Sequence, residues 1–336
     1  MARTFPDASV HTSLYDPAGT FPEFAGIDVR TAPLDRLAPL RQRHRWALPL
    51  LAPTFSAMKV DADVVVCSSS GWAHGVRTNG RKVVYCHAPA RWLYQTDAYL
   101  AGAGATTATA ARALAPGLRR WDQKAARSAD RYLVNSNHTR AMVSEAYGID
   151  GEVLFPPVAV DADADREPVA DLTPGFFLCV ARLLRYKHVD AVIDAFRELP
   201  SERLVVVGAG PDAVRLRARA GRNVRFLHDV TDAQLRWLYS AARALIAASF
   251  EDFGLTPIEA AALGTPTVAL RHGGYLDTVI EGSTGRFFDD PAAAPIATAV
   301  RDFDPDAFAP EKLQAHAASF GESQFAARLH EIVDAS

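Results

Sequence analysis

The sequence predicts an α/β protein with parallel β-sheets, and two observations support this fold class. Apolar, β-branched runs of strand length, such as "DVVVCSS" and "RLVVVGAG", recur along the 336 residues. They are continuous, which is typical of strands covered by helices on both faces. The segments between them have helical spacing, as in "HVDAVIDAFREL", where Val189, Val192, Ile193 and Phe196 share one face. Alternating strands and helices favour parallel sheets.

The predicted strands fall into two groups along the chain. The first group comprises "SVHTSLY", "DVVVCSS", "KVVYCHA" and "RYLVNSN". The second comprises "FFLCVAR", "RLVVVGAG", "NVRFLHD", "ARALIAAS" and "TPTVALR". Each group is large enough for one Rossmann-like domain.

The strand pattern lapses between the two groups, in "FPPVAVDADADREPVADLTPG". Prolines and short acidic residues with few large apolar side chains indicate a linker. We therefore predict a first domain over residues 1–157, a linker over 158–174, a second domain over 175–305, and a helical tail over 306–336 that packs back on the first domain. The "DADAD" stretch ends no strand, so we interpret it as solvated linker and predict no metal site.

Composition is that of a soluble globular protein, with 49% hydrophobic and 22% charged residues. No apolar run approaches the ~18 residues of a transmembrane helix, and the N-terminus lacks the apolar segment of a signal peptide. Cys67, Cys86 and Cys179 are scattered, two of them within strand-like runs, which favours reduced, buried thiols. These features predict a cytoplasmic protein.

Charge is distributed unevenly along the chain. Residues 1–157 carry 18 Lys+Arg and 13 Asp+Glu, a net +5, which leaves −8 for the remainder. A basic half indicates an anionic partner. Within it, "RLAPLRQRHRWALPLLAPTF" combines leucines and Trp46 with Arg36, Arg41, Arg43 and Arg45, so peripheral contact with an anionic membrane and an ordinary solvated helix face both stay open. No motif for reading nucleic acid accompanies the charge.

The segment "SFEDFGLTPIEAAALGTP" predicts a ligand site at the carboxyl end of a strand. Thr256 as N-cap, Pro257 at the first position and Glu259 three residues after the cap predict a capping box. The backbone amides of Gly254, Leu255 and Thr256 would form an anion site at the helix N-terminus.

Two acids and two cations flank this anion site. Glu251 leaves a buried strand with no packing role, which favours contact with a hydroxyl-rich ligand such as a sugar, whereas Glu259 could equally serve only its cap. In "CVARLLRYKHVD", Arg182 and Lys187 follow another strand, and two cations there suit a diphosphate.

A dinucleotide site is the alternative from another class of enzyme. "VVVGAGPDAV" places Gly208, Gly210 and Ala213 in a Gly-x-Gly-x-x-Ala pattern, with Asp229 at the distance of a ribose-binding acid. The pattern would make the protein an NAD(P)-dependent oxidoreductase. A full strand–helix unit precedes it within its domain, however, and a dinucleotide fingerprint normally opens the domain.

The combination of "CVARLLRYKHVDAVIDAF", "LVVVGAGP", "NVRFLHDV" and "SFEDFGLTPIEAAALGTPTVALRHGGYLDTVIEGSTGRFF" resembles the retaining glycosyltransferases of family four. "VVYCHAPARWLY" is similar to their mannosyltransferase-like branch. The resemblance implies the GT-B fold, in which two Rossmann-like domains face a cleft. The family's first strand and glycine-rich loop have no counterpart, so we expect the first domain to lack its first βα unit, and a catalytically compromised GT-B binding protein also stays open.

The resemblance also implies roles for individual residues. Arg182 and Lys187 would hold the donor diphosphate, Glu251 the donor sugar, and Glu259 the nucleotide ribose. His87 would face the donor sugar across the cleft. The donor-binding set would further include Gly254, Leu255, Thr256, Phe253, Gly210 and His228, and the acceptor side Arg91, Trp92 and Tyr94.

The implied reaction moves a hexose, with mannose favoured, from a nucleotide-diphosphate sugar to a glycan, lipid-linked or small-molecule acceptor. Configuration would be retained. With no convincing Asp-x-Asp pair, we expect a metal-independent enzyme without a cofactor, for which GDP-mannose is the favoured donor substrate.

Overall fold

The computed structural model describes residues 1–42, 47–95, 105–158 and 160–335. The chain divides into two compact units. The first unit comprises Met1–Leu154 together with Ala326–Ser336, and the second comprises Phe155–Phe325. Among the described residues no helix is long and apolar enough to cross a lipid bilayer.

All strand pairs in the described part of the first unit are parallel. The strands are β1 (Val10–Thr12), β2 (Val29–Thr31), β3 (Lys59–Val60), β4 (Val64–Ser69), β5 (Arg77–Thr78), β6 (Arg81–Cys86), β7 (Arg131–Val134) and β8 (Glu152–Val153). The main sheet has the order β4-β6-β7-β8, while β1 pairs with β2 and β3 with β5. The four strands predicted for this half are all present, and the short strands β2, β3, β5 and β8 were not predicted.

Helices and short 3-10 turns connect these strands. The helices are α1 (Ala38–Gln42), α2 (Leu48–Ala57), α3 (Arg91–Tyr94), α4 (Ala105–Ala126) and α5 (Asn137–Tyr147). The 3-10 turns are Pro17–Gly19, Pro22–Gly26, Pro33–Arg36 and Ala73–Gly75. Ser136 caps α5, since its hydroxyl accepts from the Thr139 amide. Val84, Cys86, Val134 and Tyr147 are buried where α5 covers the sheet.

The second unit is built on a six-stranded parallel sheet. Its strands are β9 (Phe176–Val180), β10 (Leu204–Val207), β11 (Val224–Leu227), β12 (Ala242–Ala247), β13 (Thr267–Leu270) and β14 (Gly285–Phe288). The order β11-β10-β9-β12-β13-β14 is that of a Rossmann sheet. The first strand along the chain, β9, therefore lies at the centre, where Phe176, Phe177 and Leu178 are fully buried.

The helices of the second unit cover both faces of this sheet. They are α6 (Val189–Arg197), α7 (Ala213–Arg219), α8 (Asp232–Ala241), α9 (Leu255–Ala262), α10 (Tyr275–Thr278), α11 (Ala293–Arg301) and α12 (Pro310–Ala318). Short 3-10 turns occupy Arg185–Lys187 and Pro305–Ala307. The predicted apolar face of α6 is buried, as Val189, Val192, Ile193 and Phe196 are 0–1% exposed. The α/β class with parallel sheets is confirmed.

Residues 158–174, predicted as a linker, group with the second unit. Arg225 on β11 donates through its guanidinium to the carbonyls of Ala170 and Asp171, at 3.0 and 2.8 Å. These contacts satisfy backbone groups that a free linker would leave to water. The boundary between the units accordingly lies at Leu154, before the linker.

The tail predicted over residues 306–336 is helical but is shared between the two units. Helix α12 packs on α9 within the second unit. The last helix, α13 (Glu322–Asp334), continues into the part assigned to the first unit. There Arg328 donates to Glu152 at 2.6 Å, and the rings of Phe5 and His330 lie 4.6 Å apart.

Candidate functional site

The carboxyl edge of the second sheet brings together the two segments predicted to bind a ligand. Strands β9, β12 and β13 are direct neighbours in the sheet, so the loops that follow them meet at one edge. Lys187 ends the 3-10 turn that follows β9, and Glu251 lies in the loop that follows β12.

The Lys187 ammonium donates to Oε1 of Glu251, forming an ion pair between these two loops. The hydroxyl of Ser249 donates to the same oxygen at 2.6 Å. The side chains of Lys187 and Glu251 are 14% and 23% exposed. Oε2 of Glu251 has no hydrogen bond within the described parts of the chain. One carboxylate oxygen is thus anchored, and the other is available to a hydroxyl group of a ligand.

Arg182 lies just beyond the end of β9, and its side chain is exposed. Its guanidinium has no ion pair with the residues that the structure describes, and its carbonyl accepts from the Leu184 amide at 2.8 Å. A solvated cation next to an ion-paired one leaves positive charge at this edge. That arrangement suits an anionic ligand with more than one charge.

The predicted capping box at the start of α9 is wrong. The helix begins at Leu255, and its N-cap is Gly254, whose φ of 90° is left-handed. Thr256 therefore lies inside the first turn and caps nothing. The Glu259 carboxylate instead accepts from the hydroxyl of Tyr239 on α8, at 2.6 Å.

Glu259 is consequently held by a buried tyrosine and not by the helix backbone. Burial raises the pKa of Glu259, and the hydrogen bond from Tyr239 opposes that rise by favouring the charged form. Oε1 of Glu259 has no hydrogen bond with described residues, so this carboxylate also keeps one oxygen for a ligand.

Two glycines after β13 explain how the loop before α9 is packed. A side chain at Gly273 would lie 2.3 Å from the Glu251 carbonyl, and one at Gly274 would lie 2.2 Å from Cα of Phe253. The Gly274 amide donates to the Glu251 carbonyl at 2.8 Å. Only residues without a Cβ allow this close approach, so the backbone of Glu251 is fixed from the neighbouring loop.

The side chain of Phe253, a residue predicted to belong to the donor-binding set, is buried in the protein. It is 5% exposed, and its ring lies 5.8 Å from those of both Phe155 and Phe320. Together with Ile258 these rings form an apolar cluster under α9. Phe253 therefore anchors the loop by packing.

Gly208 and Gly210 have a packing role that accounts for the Gly-x-Gly pattern. A side chain at Gly208 would lie 2.0 Å from the Ala181 carbonyl oxygen, and one at Gly210 would lie 2.3 Å from the Leu183 carbonyl oxygen. The Leu183 amide also donates to the Ala209 carbonyl at 2.9 Å. The pattern brings the loop after β10 against the loop that carries Arg182.

His228 follows β11, at the opposite side of β10 from the ion pair. Its Nδ1 lies 2.9 Å from Oδ2 of Asp229, and both side chains are exposed at 59% and 91%. This surface contact places His228 in solvent at the same carboxyl edge of the sheet.

In the first unit, His87 follows β6 at the carboxyl edge of its own sheet. Its Nε2 lies 2.8 Å from the hydroxyl of Ser68 at the end of β4, and its amide donates to the Ser69 carbonyl at 2.9 Å. The ring packs edge-on against Tyr85 at 5.1 Å. His87 is thus oriented by groups from the adjacent strand.

Of the three residues predicted on the acceptor side, all of them on α3, two occupy packed positions. The indole of Trp92 stacks on that of Trp72, with ring centres 4.5 Å apart. Tyr94 packs edge-on against the buried Tyr147 at 5.6 Å. Arg91 is half-buried at the start of α3. Of the basic segment proposed for membrane contact, Arg43, Arg45 and Trp46 lie outside the described residues.

Sequence reasoning did not identify Ser249 and Tyr275. Tyr275 is 2% exposed, and its hydroxyl lies 2.8 Å from that of Ser249. Ser249 precedes Glu251 by two residues, a spacing at which a serine hydroxyl can reach a neighbouring carboxylate, so it had a local signal. Tyr275 had none, because it is 26 residues further along the chain.

Part of the chain is similar in sequence to known glycosyltransferases. The family described as Glycosyl transferases group 1 matches residues 161–319. D-inositol 3-phosphate glycosyltransferase of Mycobacterium tuberculosis (strain ATCC 25618 / H37Rv) is 33% identical over 188 residues, which cover 49% of this chain and 38% of that protein. The chain thus spans less than half the length of the curated relatives it matches.

Solved structures extend the likeness to both units. Sucrose-phosphate synthase from Thermosynechococcus elongatus is 20% identical with a TM-score of 0.66, covering 96% of this chain and 87% of that one. Anabaena HepE in complex with UDP-glucose is 19% identical with a TM-score of 0.65, covering 94% and 88%. These neighbours are GT-B glycosyltransferases, and the predicted GT-B fold is therefore confirmed.

Proposed function

We propose that this protein is a glycosyltransferase that moves a hexose from a nucleotide-diphosphate sugar to a glycan, lipid-linked or small-molecule acceptor, with retention of configuration. The observation that carries the proposal is the ion pair between Lys187 and Glu251. It joins a cation suited to phosphate to a carboxylate whose Oε2 has no hydrogen bond with the described residues. The first backbone amides of α9 follow the carboxylate along the chain and have no partner among those residues either. The match to the glycosyltransferase family over residues 161–319 supports the same activity.

Departure of the nucleoside diphosphate would build negative charge on its phosphates. Lys187, Arg182 and the α9 amides would stabilise that charge, because cations and preorganised N–H groups act most strongly where charge develops. A diphosphate would draw Lys187 away from Glu251 and leave that carboxylate to accept from the sugar hydroxyls. These groups would supply the positive charge that a metal ion often supplies, so we propose that the reaction needs no metal ion.

Glu259 would bind the nucleotide ribose through its open oxygen. A carboxylate accepts readily from a ribose hydroxyl, and Tyr239 fixes its orientation from the other side. His87, held by Ser68, would orient the donor sugar and steady its developing positive charge. The acceptor hydroxyl would attack the sugar on the face that the leaving phosphate vacates, so the configuration of the sugar would be retained. The leaving phosphate would take the proton of the acceptor.

Mannose is the favoured sugar and GDP-mannose the favoured donor, on the likeness to mannosyltransferase-like sequences. UDP-glucose is the first competitor to test, since HepE was solved in complex with it. We propose a cytoplasmic location with peripheral contact to an anionic membrane through the basic first half of the chain.

An NAD(P)-dependent oxidoreductase is the other candidate, and it rests on Gly208 and Gly210. The packing of both glycines against Ala181 and Leu183 gives them a structural role without a dinucleotide. Thermal shift assays separate the two functions. GDP, GDP-mannose or UDP-glucose should raise the melting temperature, and NAD and NADP should not. Stabilisation by NAD with no response to GDP, GDP-mannose or UDP-glucose would overturn the proposal.

A further inference from the structure

The carboxylate of Glu251 belongs to a chain of side chains that reaches into the protein interior. Ser249 and Glu251 lie in the loop after β12, and Tyr275 is the first residue of α10, which follows β13. The Tyr275 and Ser249 hydroxyl oxygens are 2.8 Å apart, and the Ser249 hydroxyl is 2.6 Å from Oε1 of Glu251. Both distances are those of well-formed O–H···O hydrogen bonds.

The direction of these hydrogen bonds follows from the groups involved. The Ser249 hydroxyl has one proton, which it donates to Glu251, so its contact with Tyr275 must be one in which Tyr275 donates. Burial, and next the negative charge of Glu251, raise the pKa of Tyr275, so its hydroxyl keeps the proton that this bond needs. The order is therefore Tyr275 to Ser249 to Glu251.

The tyrosine itself is held tightly in place. Its ring is buried against the backbone of Gly254, where a side chain would lie 2.6 Å from Cδ1 of Tyr275. Its loop neighbour Gly274 also donates to the Glu251 carbonyl. The carboxylate and the backbone of Glu251 are thus both positioned from the loop after β13.

We propose that Tyr275 and Ser249 are positioning residues that hold Oε1 of Glu251 so that Oε2 points to the donor sugar. Lys187 also binds Oε1, but a diphosphate would compete for Lys187. With the donor bound, the hydrogen bond from Ser249 would then be the remaining anchor of the carboxylate. This inference rests on the proposed function, because it needs Glu251 to contact the sugar.

The test compares Tyr275→Phe and Ser249→Ala with the wild type. Tyr275→Phe keeps the buried ring, and Ser249→Ala removes the middle hydroxyl without touching Tyr275. Donor hydrolysis, in which water takes the sugar and GDP or UDP is released from GDP-mannose or UDP-glucose, would be followed, and GDP and UDP affinities measured by calorimetry. We expect kcat to fall about tenfold to a hundredfold, since small displacements of a contact group have effects of this size. Nucleoside-diphosphate affinity should change less than twofold.

Tyr239→Phe is the matched control, because it removes one tyrosine hydroxyl from the other carboxylate, Glu259. It should weaken nucleoside-diphosphate binding, which the Tyr275 and Ser249 variants should not do. Restoring the hydroxyl as Ser249→Thr should recover part of the lost turnover. A merely structural role would produce neither the contrast nor the rescue.

Combination with Glu251→Gln decides whether the effect acts through Glu251. If it does, adding Tyr275→Phe to Glu251→Gln causes little further loss of turnover. A full additional loss in the double variant would overturn the inference, as would wild-type turnover in both single variants when Glu251→Gln is impaired. Two other outcomes would instead overturn the proposed function. One is wild-type turnover in Glu251→Gln itself, and the other is a wild type that neither releases nor binds GDP or UDP.

Discussion

Two pairs of a basic side chain and a carboxylate, one from each unit, differ in their access to solvent. In the first unit, His74 Nε2 lies 2.7 Å from Oδ1 of Asp122, and both side chains are 0% exposed. In the second unit, Lys187 and Glu251 form their pair at the edge of the sheet and remain partly exposed. The first pair is enclosed by protein and the second borders open space.

The surroundings of the two pairs differ in whether a ligand can reach them. His74 Nδ1 lies 3.4 Å from the hydroxyl of Ser69, and its ring packs beside Trp121 and Tyr147, so no ligand reaches it. A Ser–His–Asp arrangement of this kind has the composition of a hydrolase triad without its access. Removing one partner of a buried pair leaves the other uncompensated, whereas a partly exposed carboxylate can accept a hydrogen bond from a ligand.

The largest effect should come from breaking the buried pair. Asp122→Ala should lower the free energy of unfolding by about 3–5 kcal/mol, because it leaves a buried partner without compensation. Glu251→Gln, at the accessible pair, should change it by less than ~1 kcal/mol. Urea unfolding of both variants measures the contrast. Equal losses of stability would show that exposure does not distinguish the pairs.

The next effect concerns ligand affinity at the accessible pair. Lys187→Ala and Arg182→Ala should each weaken nucleoside-diphosphate binding by roughly 1.5–3 kcal/mol, the range for hydrogen bonds to charged groups. Arg219→Ala is a suitable control, since Arg219 is an exposed cation of the same unit that is ion-paired with Asp194. Calorimetry with GDP and UDP measures all three. Unchanged affinity in both site variants would contradict the shared diphosphate site.

The smallest expected effect is a pH dependence of stability that comes from the second glutamate, Glu259. Burial holds the pKa of Glu259 above its usual value of 4.5, so folding favours the protonated form. That contribution to stability is fully present below about pH 4.5 and is lost as the pH rises through the raised pKa. Glu259→Gln does not titrate, and its amide oxygen can still accept from Tyr239.

The melting temperature of the wild type, measured relative to Glu259→Gln, should therefore decline between pH 4.5 and pH 7. The variant should be at least as stable as the wild type at pH 7, since no capping box is lost, while its affinity for GDP should fall. If the wild type instead became more stable than the variant as the pH rises, the pKa of Glu259 would be lowered by folding, and the prediction would be wrong.

The sequence was sufficient to predict the main buried strands and the sheet edge where the site lies. Continuous β-branched runs locate β4, β6, β7 and the central strands of the second sheet, because burial on both faces leaves a local signature. The carboxyl end of β12 could likewise be identified, since strand ends and glycines are adjacent along the chain. Lys187 and Glu251 were placed at that edge on this basis, and the structure brings them together.

Side-chain partners depended on the tertiary structure. The capping box failed because Gly254, with its left-handed backbone, is the N-cap of α9, two residues before the threonine that fitted the local motif. Glu259 then accepts from Tyr239, a residue 20 positions earlier on another helix. No local pattern reports such a pairing.

The sequence alone was enough to predict the main buried strands, the α/β class and the strand ends at which charged residues collect. Which of those residues contact each other depended on the fold. Lys187 reaches Glu251 across 64 positions, and Tyr275 reaches Ser249 across 26. The physical reason is that burial and periodicity act on neighbours along the chain, whereas these contacts arise from the order β9-β12-β13, which places distant loops side by side.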